Sequence, residues 1–400
     1  MTARLNPADH DWMTAPATRR VMNALETAAP GGSRFVGGCV RNALLGEPVA
    51  DIDIATVLEP DAAAAALEAA GIAVHPTGLA HGTITAVANH QPFEVTTLRR
   101  DVSTDGRRAT VAFTTDWAED AARRDFTINA LYANEEGEIL DLVGGLKDIP
   151  DRRIVFIGKP EDRIAEDYLR ILRFFRFFAW YGKGEPDAAG LAACAAMTDG
   201  LSQLSAERIW METKKLLAAP DPARAIELMA EAGVAQALYG TELKITRLSR
   251  LIELGGDEPL LRLAALLPDR GVGQIRKLKL SNEEAGRLRK LADGGLSREI
   301  EAKWPTRAEL EKLVYRHGNQ AIADQLFLLF AETREPPEGW GGAIGHVLSF
   351  AAPEFPVTGA DLKKRGLSAG PEMGQLLRRL EEEWIESRFR LDKHTLLGRL

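Results

Sequence analysis

The chain runs to 400 residues, more than a single domain usually holds, and its 45% hydrophobic and 27% charged residues are ordinary globular values that lead one to expect two or three domains. A net charge of −8 argues against an overall basic nucleic-acid binder, and two cysteines without Cys-x-x-Cys spacing exclude a disulfide framework and a zinc site. No apolar run is long enough to span a bilayer, and Met1-Thr2-Ala3-Arg4-Leu5-Asn6-Pro7 has no apolar stretch behind its charge, so a cytoplasmic protein without a membrane partner is expected.

In chain order, the first informative stretch is Arg34 to Gly46, which reads as a short strand, a Gly37-Gly38 turn and a short helix that Gly46 ends. Glycine lets the backbone approach a ligand closely, and a helix N-terminus offers N–H groups and a positive dipole end to a phosphate. Cys39, beside this turn, suits a small apolar filler better than a nucleophile, with no histidine near it in sequence. Asp51 and Asp53 follow. Side chains alternate along a strand, so these two carboxylates point the same way and suit hard divalent cations. An Asp-x-Asp alone reads equally as a solvated turn; the glycine turn and helix ahead of it favour a metal-dependent nucleoside triphosphate site. Magnesium is commonly held by one or two carboxylates plus substrate phosphates, and two such ions about 3.5–4 Å apart assist an attacking hydroxyl and a departing pyrophosphate. Glu94, in the β-branched run Pro92 to Leu98, is the expected third carboxylate at the same edge.

Around these residues the pattern predicts strands at Gly82 to Ala88, Phe93 to Leu98 and Glu138 to Leu142, and a helix at Asp61 to Ala70 between two strands. Arg99 to Arg108, polar with one glycine, reads as a mobile loop that orders around substrate. His81 reads as a structural hydrogen-bonding turn residue or as a general base. From about Glu161 the periodicity is helical almost to the end. Basic clusters recur at Arg99-Arg100, Arg107-Arg108, Arg123-Arg124, Arg152-Arg153, Arg276 to Lys279, Arg287 to Lys290 and Lys363 to Arg365; each alone reads also as a solvated face.

Two further segments carry chemistry. Arg123-Arg124-Asp125, followed by an apolar helical stripe, sets two phosphate-matching guanidiniums beside an acid that would orient them; a surface helix start with a salt bridge explains the same letters. In Glu166 to Arg176, Arg170, Arg173 and Arg176 track along one side of a helix, with Asp167 one turn before Arg170. Cytosine and adenine each show an amino donor beside a ring-nitrogen acceptor, which match a carboxylate and a guanidinium, whereas guanine and uracil show the opposite order. An amphipathic helix with an internal ion pair is the other reading.

Taken together, VGGCVRNALLG with DID (35–53), PTGLAHGT and FEVTTLRRD (76–101), the DGRR loop, RRDFTINALY (123–132), GGLKD (144–148), EDYLRILRFFRF (166–177) and SAERIWMETKKLL (205–217) resemble the class II tRNA nucleotidyltransferases, the CCA-adding enzymes, which are similar to bacterial poly(A) polymerases. TGADLKKRGLSAGPEMG (358–374) resembles their RNA-contacting tail more loosely. The resemblance implies an α+β fold: a nucleotidyltransferase head with a small mixed sheet at 1–145, then an elongated all-α neck at 146–220, body at 221–300 and tail at 301–400. It implies that Asp51 and Asp53 bind magnesium with Glu94 as third carboxylate, that Gly38, Arg41 and Arg124 bind triphosphate or ribose, and that Asp167 and Arg170 select the base, supported by Arg173 and Arg176. Asn42 stands where the family usually has an acid. The implied substrates are CTP, ATP and the tRNA acceptor arm, with no obligate protein partner. Thr77 to Thr83 lacks the arginine-rich wording of poly(A) polymerases, and the Asp101 to Arg108 loop that CC-adding enzymes are expected to lack is intact, so CCA addition is expected over either rival; the intact carboxylates favour it over a non-catalytic RNA binder. The one His-Asp dipeptide, His10-Asp11, sits near the N-terminus, so no phosphohydrolase activity is expected.

Overall fold

A seven-stranded mixed sheet organises the first of the two compact units, Met1–Thr241 and Glu242–Leu400, into which the chain divides. The computed structural model describes residues 4–79, 82–104, 109–292, 300, 305–333 and 341–400; His81 and the 105–108 stretch of the expected loop lie outside them.

The first unit contains, in order, α1 (Asp11–Thr14), α2 (Pro16–Ala28), β1 (Ser33–Val36), α3 (Gly38–Leu45), β2 (Asp53–Thr56), α4 (Pro60–Ala69), β3 (Ala73–Gly78), β4 (Thr83–Ala88), β5 (Gln91–Thr97), β6 (Arg99–Thr104), β7 (Ala109–Phe113), α5 (Trp117–Ala122), β8 (Leu131–Ala133) and β9 (Ile139–Asp141), and then the helices α6 (Pro160–Glu166), α7 (Leu169–Tyr181), α8 (Ala188–Ala196), α9 (Ala206–Leu217), α10 (Ala223–Glu231) and α11 (Val234–Tyr239). The sheet order is β3-β4-β5-β2-β1-β8-β9, with β2 and β5 parallel and the other neighbours antiparallel. Its core gathers Val36, Ala55, Leu98, Ala130 and Tyr132, all buried.

Two expectations need correction. Arg99 to Arg108 is not simply a loop: β6 and β7 pair as an antiparallel hairpin, Arg99 opposite Phe113. The apolar stretch after Asp125 is not helical either. Thr127–Asn129 makes one 3-10 turn and Leu131–Ala133 then joins the sheet beside β1, Val36 opposite Tyr132. The vacant edge of β1 offers backbone partners that a solvent-facing helix would not, and such tertiary pairing overrides weak local propensity. The strand β3 likewise gave no clear alternating pattern and pairs with β4.

Helix α7 buries Ile171, Leu172, Phe174, Phe175, Phe177 and Phe178. Phe174 stacks on Phe156 with ring centroids 5.6 Å apart, and Phe177 meets Phe126 at 5.2 Å, so aromatic packing clamps α7 to the segment that leaves the sheet. The second unit is helical throughout its described residues. Its cores form around Asn319–Glu332, through Ile322, Leu326 and Phe330, and around Pro371–Glu386, through Leu380 and Trp384.

Candidate active site

The sheet brings the acids to the glycine turn. Antiparallel β1 and β2 set Phe35 opposite Ile54, so the chain leaves β1 through Gly37 where β2 begins with Asp53. Gly37 has φ +69° and ψ −116°, a conformation open to glycine alone among the common residues, and Gly38 opens α3. Asp51 precedes the strand rather than lying in it; the alternation still holds, with Ile52 and Ile54 buried while Asp51 is exposed and Asp53 half-buried. Parallel pairing with β5 puts Glu94 beside Asp53 on the next strand. Burial first, and then the neighbouring Glu94 and Asp51 charges, push Asp53 up to about 6 against the pull of Arg124 and Arg41.

An arginine lattice faces these acids. Asp125 was expected to orient Arg123 and Arg124, but both grip Asp120 instead, at 2.8 and 2.9 Å. Tyr132 donates its hydroxyl to the same carboxylate at 2.8 Å. Burial alone would raise the Asp120 pKa, but Arg124 and Arg123 outweigh it and hold the group at about 2. Asp125 reaches the other way, accepting both Nε and Nη2 of Arg173 at 2.7 and 2.5 Å, and so ties the sheet segment to α7. The GGLKD segment supports this corner: buried Asp148 accepts the Thr127 hydroxyl at 2.7 Å, and a Cβ on Gly145 would lie 2.3 Å from the Thr127 carbonyl oxygen.

Arg41 differs from its neighbours. It is 6% exposed, and its partners are the neutral oxygens of Asn129 (2.5 Å), Tyr181 (2.8 Å) and Asn42 (2.9 and 3.1 Å), with the guanidinium 4.0 Å from the Tyr181 ring centroid. Among the described residues no carboxylate lies within ion-pair reach of it. A buried cation without a counter-ion is costly alone and is ready for an anion. Asn42 also donates to the Pro48 carbonyl at 2.7 Å, so the amide keeps a local role without adding charge.

Gly38, Arg41, Asp53, Arg124, Asp167, Arg170 and Arg173, seven of the ten expected site residues, line one cavity of about 520 Å³. Asp51 and Glu94 stand outside its wall, at the edge around Asp53. Arg176 also lies outside; its Nε donates to Glu212 at 2.6 Å and its guanidinium covers Phe177. Sequence reasoning assigned no role to Arg208, Asn129 and Phe177, which line the cavity too. Arg208 pairs with Asp167 at 2.7 Å, while Arg170 is held by Glu166 and the carbonyls of Arg163 and Arg123, so Asp167 and Arg170 are fixed by others rather than by each other. The available signal was the recurrence of Arg and Glu one helical turn apart in Arg208–Glu212, facing the arginines of α7. The cavity wall carries six guanidiniums against three carboxylates; five of the six are ion-paired, to Asp120, Asp125, Asp167 and Glu166, which leaves Arg41, among the described residues, as the wall cation suited to an anion.

Cys39 is buried, and burial raises its thiol to about 11, so it fills space. The donor set fits a hard divalent cation: the carboxylates crowd one another, as the Asp53 shift records, and oxygen is the ligand such ions take. Among the described residues no group of three metal-ligating side chains forms a cage. Glu94, expected as a third carboxylate, pairs beside Asp53 but does not form such a group with Asp51 and Asp53.

Fold and cavity together define an α+β protein whose mixed sheet is followed by helices and carries an arginine-lined cavity. Residues 33–155 match the poly A polymerase head domain, and residues 186–243 match the family described as the probable RNA and SrmB-binding site of polymerase A. The mitochondrial CCA tRNA nucleotidyltransferase 1 of Mus musculus is 36% identical over 379 residues, covering 91% of this chain and 85% of that protein. The CCA-adding enzyme of Streptococcus sanguinis strain SK36 is 32% identical over 372 residues, 88% of each. The crystal structure of the Bacillus stearothermophilus CCA-adding enzyme in complex with CTP superposes with a TM-score of 0.74 at 26% identity over 93% of both chains. The chain belongs to the class II CCA-adding nucleotidyltransferase family.

Proposed function

We propose that this protein adds C, C and A to the 3′ end of tRNA from CTP and ATP, without a nucleic-acid template, releasing pyrophosphate at each step. The observation that carries the reading is the guanidinium-rich cavity at the sheet end where Asp53 meets the Gly37 turn, in a chain whose relatives are named for this reaction. The RNA 3′ hydroxyl attacks the α-phosphorus of the nucleotide, forming the new P–O bond as the bond to pyrophosphate breaks. Gly38 and Arg41 receive the triphosphate, and Arg124, held rigid by Asp120, adds a second charge. Asp167 accepts from the exocyclic amino group of cytosine or adenine and Arg170 donates to the adjacent ring nitrogen; guanine or uracil would leave a buried polar group unmatched, at about 1–3 kcal/mol each. Arg173 and Arg176 anchor α7, which carries Arg170, through Asp125 and Glu212. Asp51 and Asp53 would hold magnesium, with Glu94 beside Asp53 on the next strand, and the ion when bound would neutralise developing charge on attacking and leaving oxygens.

In this reading the chain divides into head (1–145), neck (146–220), body (221–300) and tail (301–400), and works in the cytoplasm on tRNA whose phosphates it meets through its basic clusters in a salt-sensitive manner. The test supplies tRNA lacking its 3′ end with CTP, ATP or both, and sizes the products. Two additions with CTP alone and three with both are expected. Long A tails on unrelated RNA would indicate a poly(A) polymerase, extension by CC alone a partial enzyme, and binding without extension an RNA-binding protein.

A further inference from the structure

Helices α7 and α9 run side by side in the same direction, joined by Asp167–Arg208 at 2.7 Å just before the start of α7, Arg176–Glu212 at 2.6 Å midway, and the Trp180 indole N–H donating to the Lys215 carbonyl at 2.8 Å near the end. At 3.6 residues per turn, Leu169, Arg173, Phe177 and Trp180 fall on one stripe of α7. The first three line the nucleotide cavity; Trp180 continues beyond it and is 39% exposed. On α9 the stripe through Arg208 likewise continues to Met211, 52% exposed, and to Lys215, also exposed.

We propose that Trp180, flanked by Met211 and Lys215, is a stacking platform for the RNA strand entering the cavity. The proposal rests on the function given above and extends it to a substrate contact. Seven residues separate Arg173 from Trp180, roughly 10 Å of helix at about 1.5 Å per residue. That is the length of about three bases stacked about 3.4 Å apart, so the platform meets a base two or three nucleotides back from the growing end. The indole is fixed by its hydrogen bond, so little conformational freedom is lost when a base covers it. Aromatic stacking accepts any base, and the strand occupying this place changes with each addition, so a contact indifferent to sequence is what the reaction requires. Lys215 supplies charge for the adjoining phosphate.

The experiment compares full-length wild type, W180A and W180F in steady-state addition to tRNA lacking its 3′ end, alongside tryptophan emission on adding that tRNA without nucleotide. W180A should raise the KM for tRNA about tenfold with the KM for CTP unchanged, and W180F should restore it to within about twofold. The wild-type emission should be quenched by RNA in the component that W180F removes. An unchanged tRNA KM in W180A, a W180F variant as impaired as W180A, or an RNA-insensitive emission difference would each overturn the platform. So would self-association of the protein abolished by W180A, which would assign the patch to a second copy. Wild type that is quenched by tRNA yet adds no nucleotide would instead overturn the assigned activity and leave the platform standing.

Discussion

Replacing Asp120 with asparagine tests the arginine lattice at its centre. The carboxylate is 1% exposed and binds Arg123, Arg124 and the Tyr132 hydroxyl, with the arginine side chains only 16% and 19% exposed, so solvent screens these pairs weakly. Burial would raise its pKa, yet the arginines lower it from 3.8 to about 2, which at ~1.4 kcal/mol per pKa unit corresponds to roughly 2 kcal/mol of stabilisation. D120N removes this and leaves two cations short of a counter-charge, so a loss of about 2–4 kcal/mol at pH 7 is expected. Because the folded-state pKa is depressed, the contribution is fully present above about pH 4 and is lost as pH falls through about 2. Urea unfolding of wild type and D120N between pH 7 and pH 2 should therefore show a gap that is constant down to about pH 4 and narrows below it. A gap under about 0.5 kcal/mol, or one that does not narrow in acid, would refute the assignment of Asp120 as the ionised anchor of Arg123 and Arg124.

Other consequences are as direct. Asp53 has a raised pKa, so its ionisation costs stability above about pH 4, fully so above about pH 6; D53N should abolish nucleotide addition and yet raise the Tm of the cation-free protein at pH 7, and a lowered Tm would contradict the crowding of these acids. Arg208→Ala frees Asp167 from its ion pair, and misincorporation of UMP or GMP relative to CMP should rise about tenfold with little change in tRNA affinity, measured by single-nucleotide addition. Cys39 and Cys194 are both buried with thiol pKa values raised by burial, so iodoacetamide should label neither in the native protein at pH 8 and both in urea, as read by mass spectrometry; rapid native labelling with loss of activity would reopen a role for Cys39.

What the sequence by itself determined were features set by local stereochemistry. The Gly37 turn, the helix that Gly46 closes in the left-handed region and the Asp51/Asp53 alternation depend only on which residues tolerate positive φ and on the two-residue period of extended chain, and each was legible before any contact was known. Glu94 was legible at one remove, since a β-branched run pairs with a strand that seeks a neighbour. Tertiary structure decided the long-range pairings, whereas Asp120 with Arg123 and Arg124 is an i,i+3 and i,i+4 choice that helix spacing already permits. Arg123-Arg124-Asp125 suggests an adjacent pairing, but the backbone turns there, so Asp125 meets Arg173, 48 residues on, while Asp120 takes both arginines from one turn back. Asp167 answers to Arg208 and the cavity owes Asn129 to a 3-10 turn braced by Asp148 for the same reason: long flexible side chains choose partners by distance in space. That distance is set by packing such as Phe126 on Phe177, which no spacing along the chain encodes.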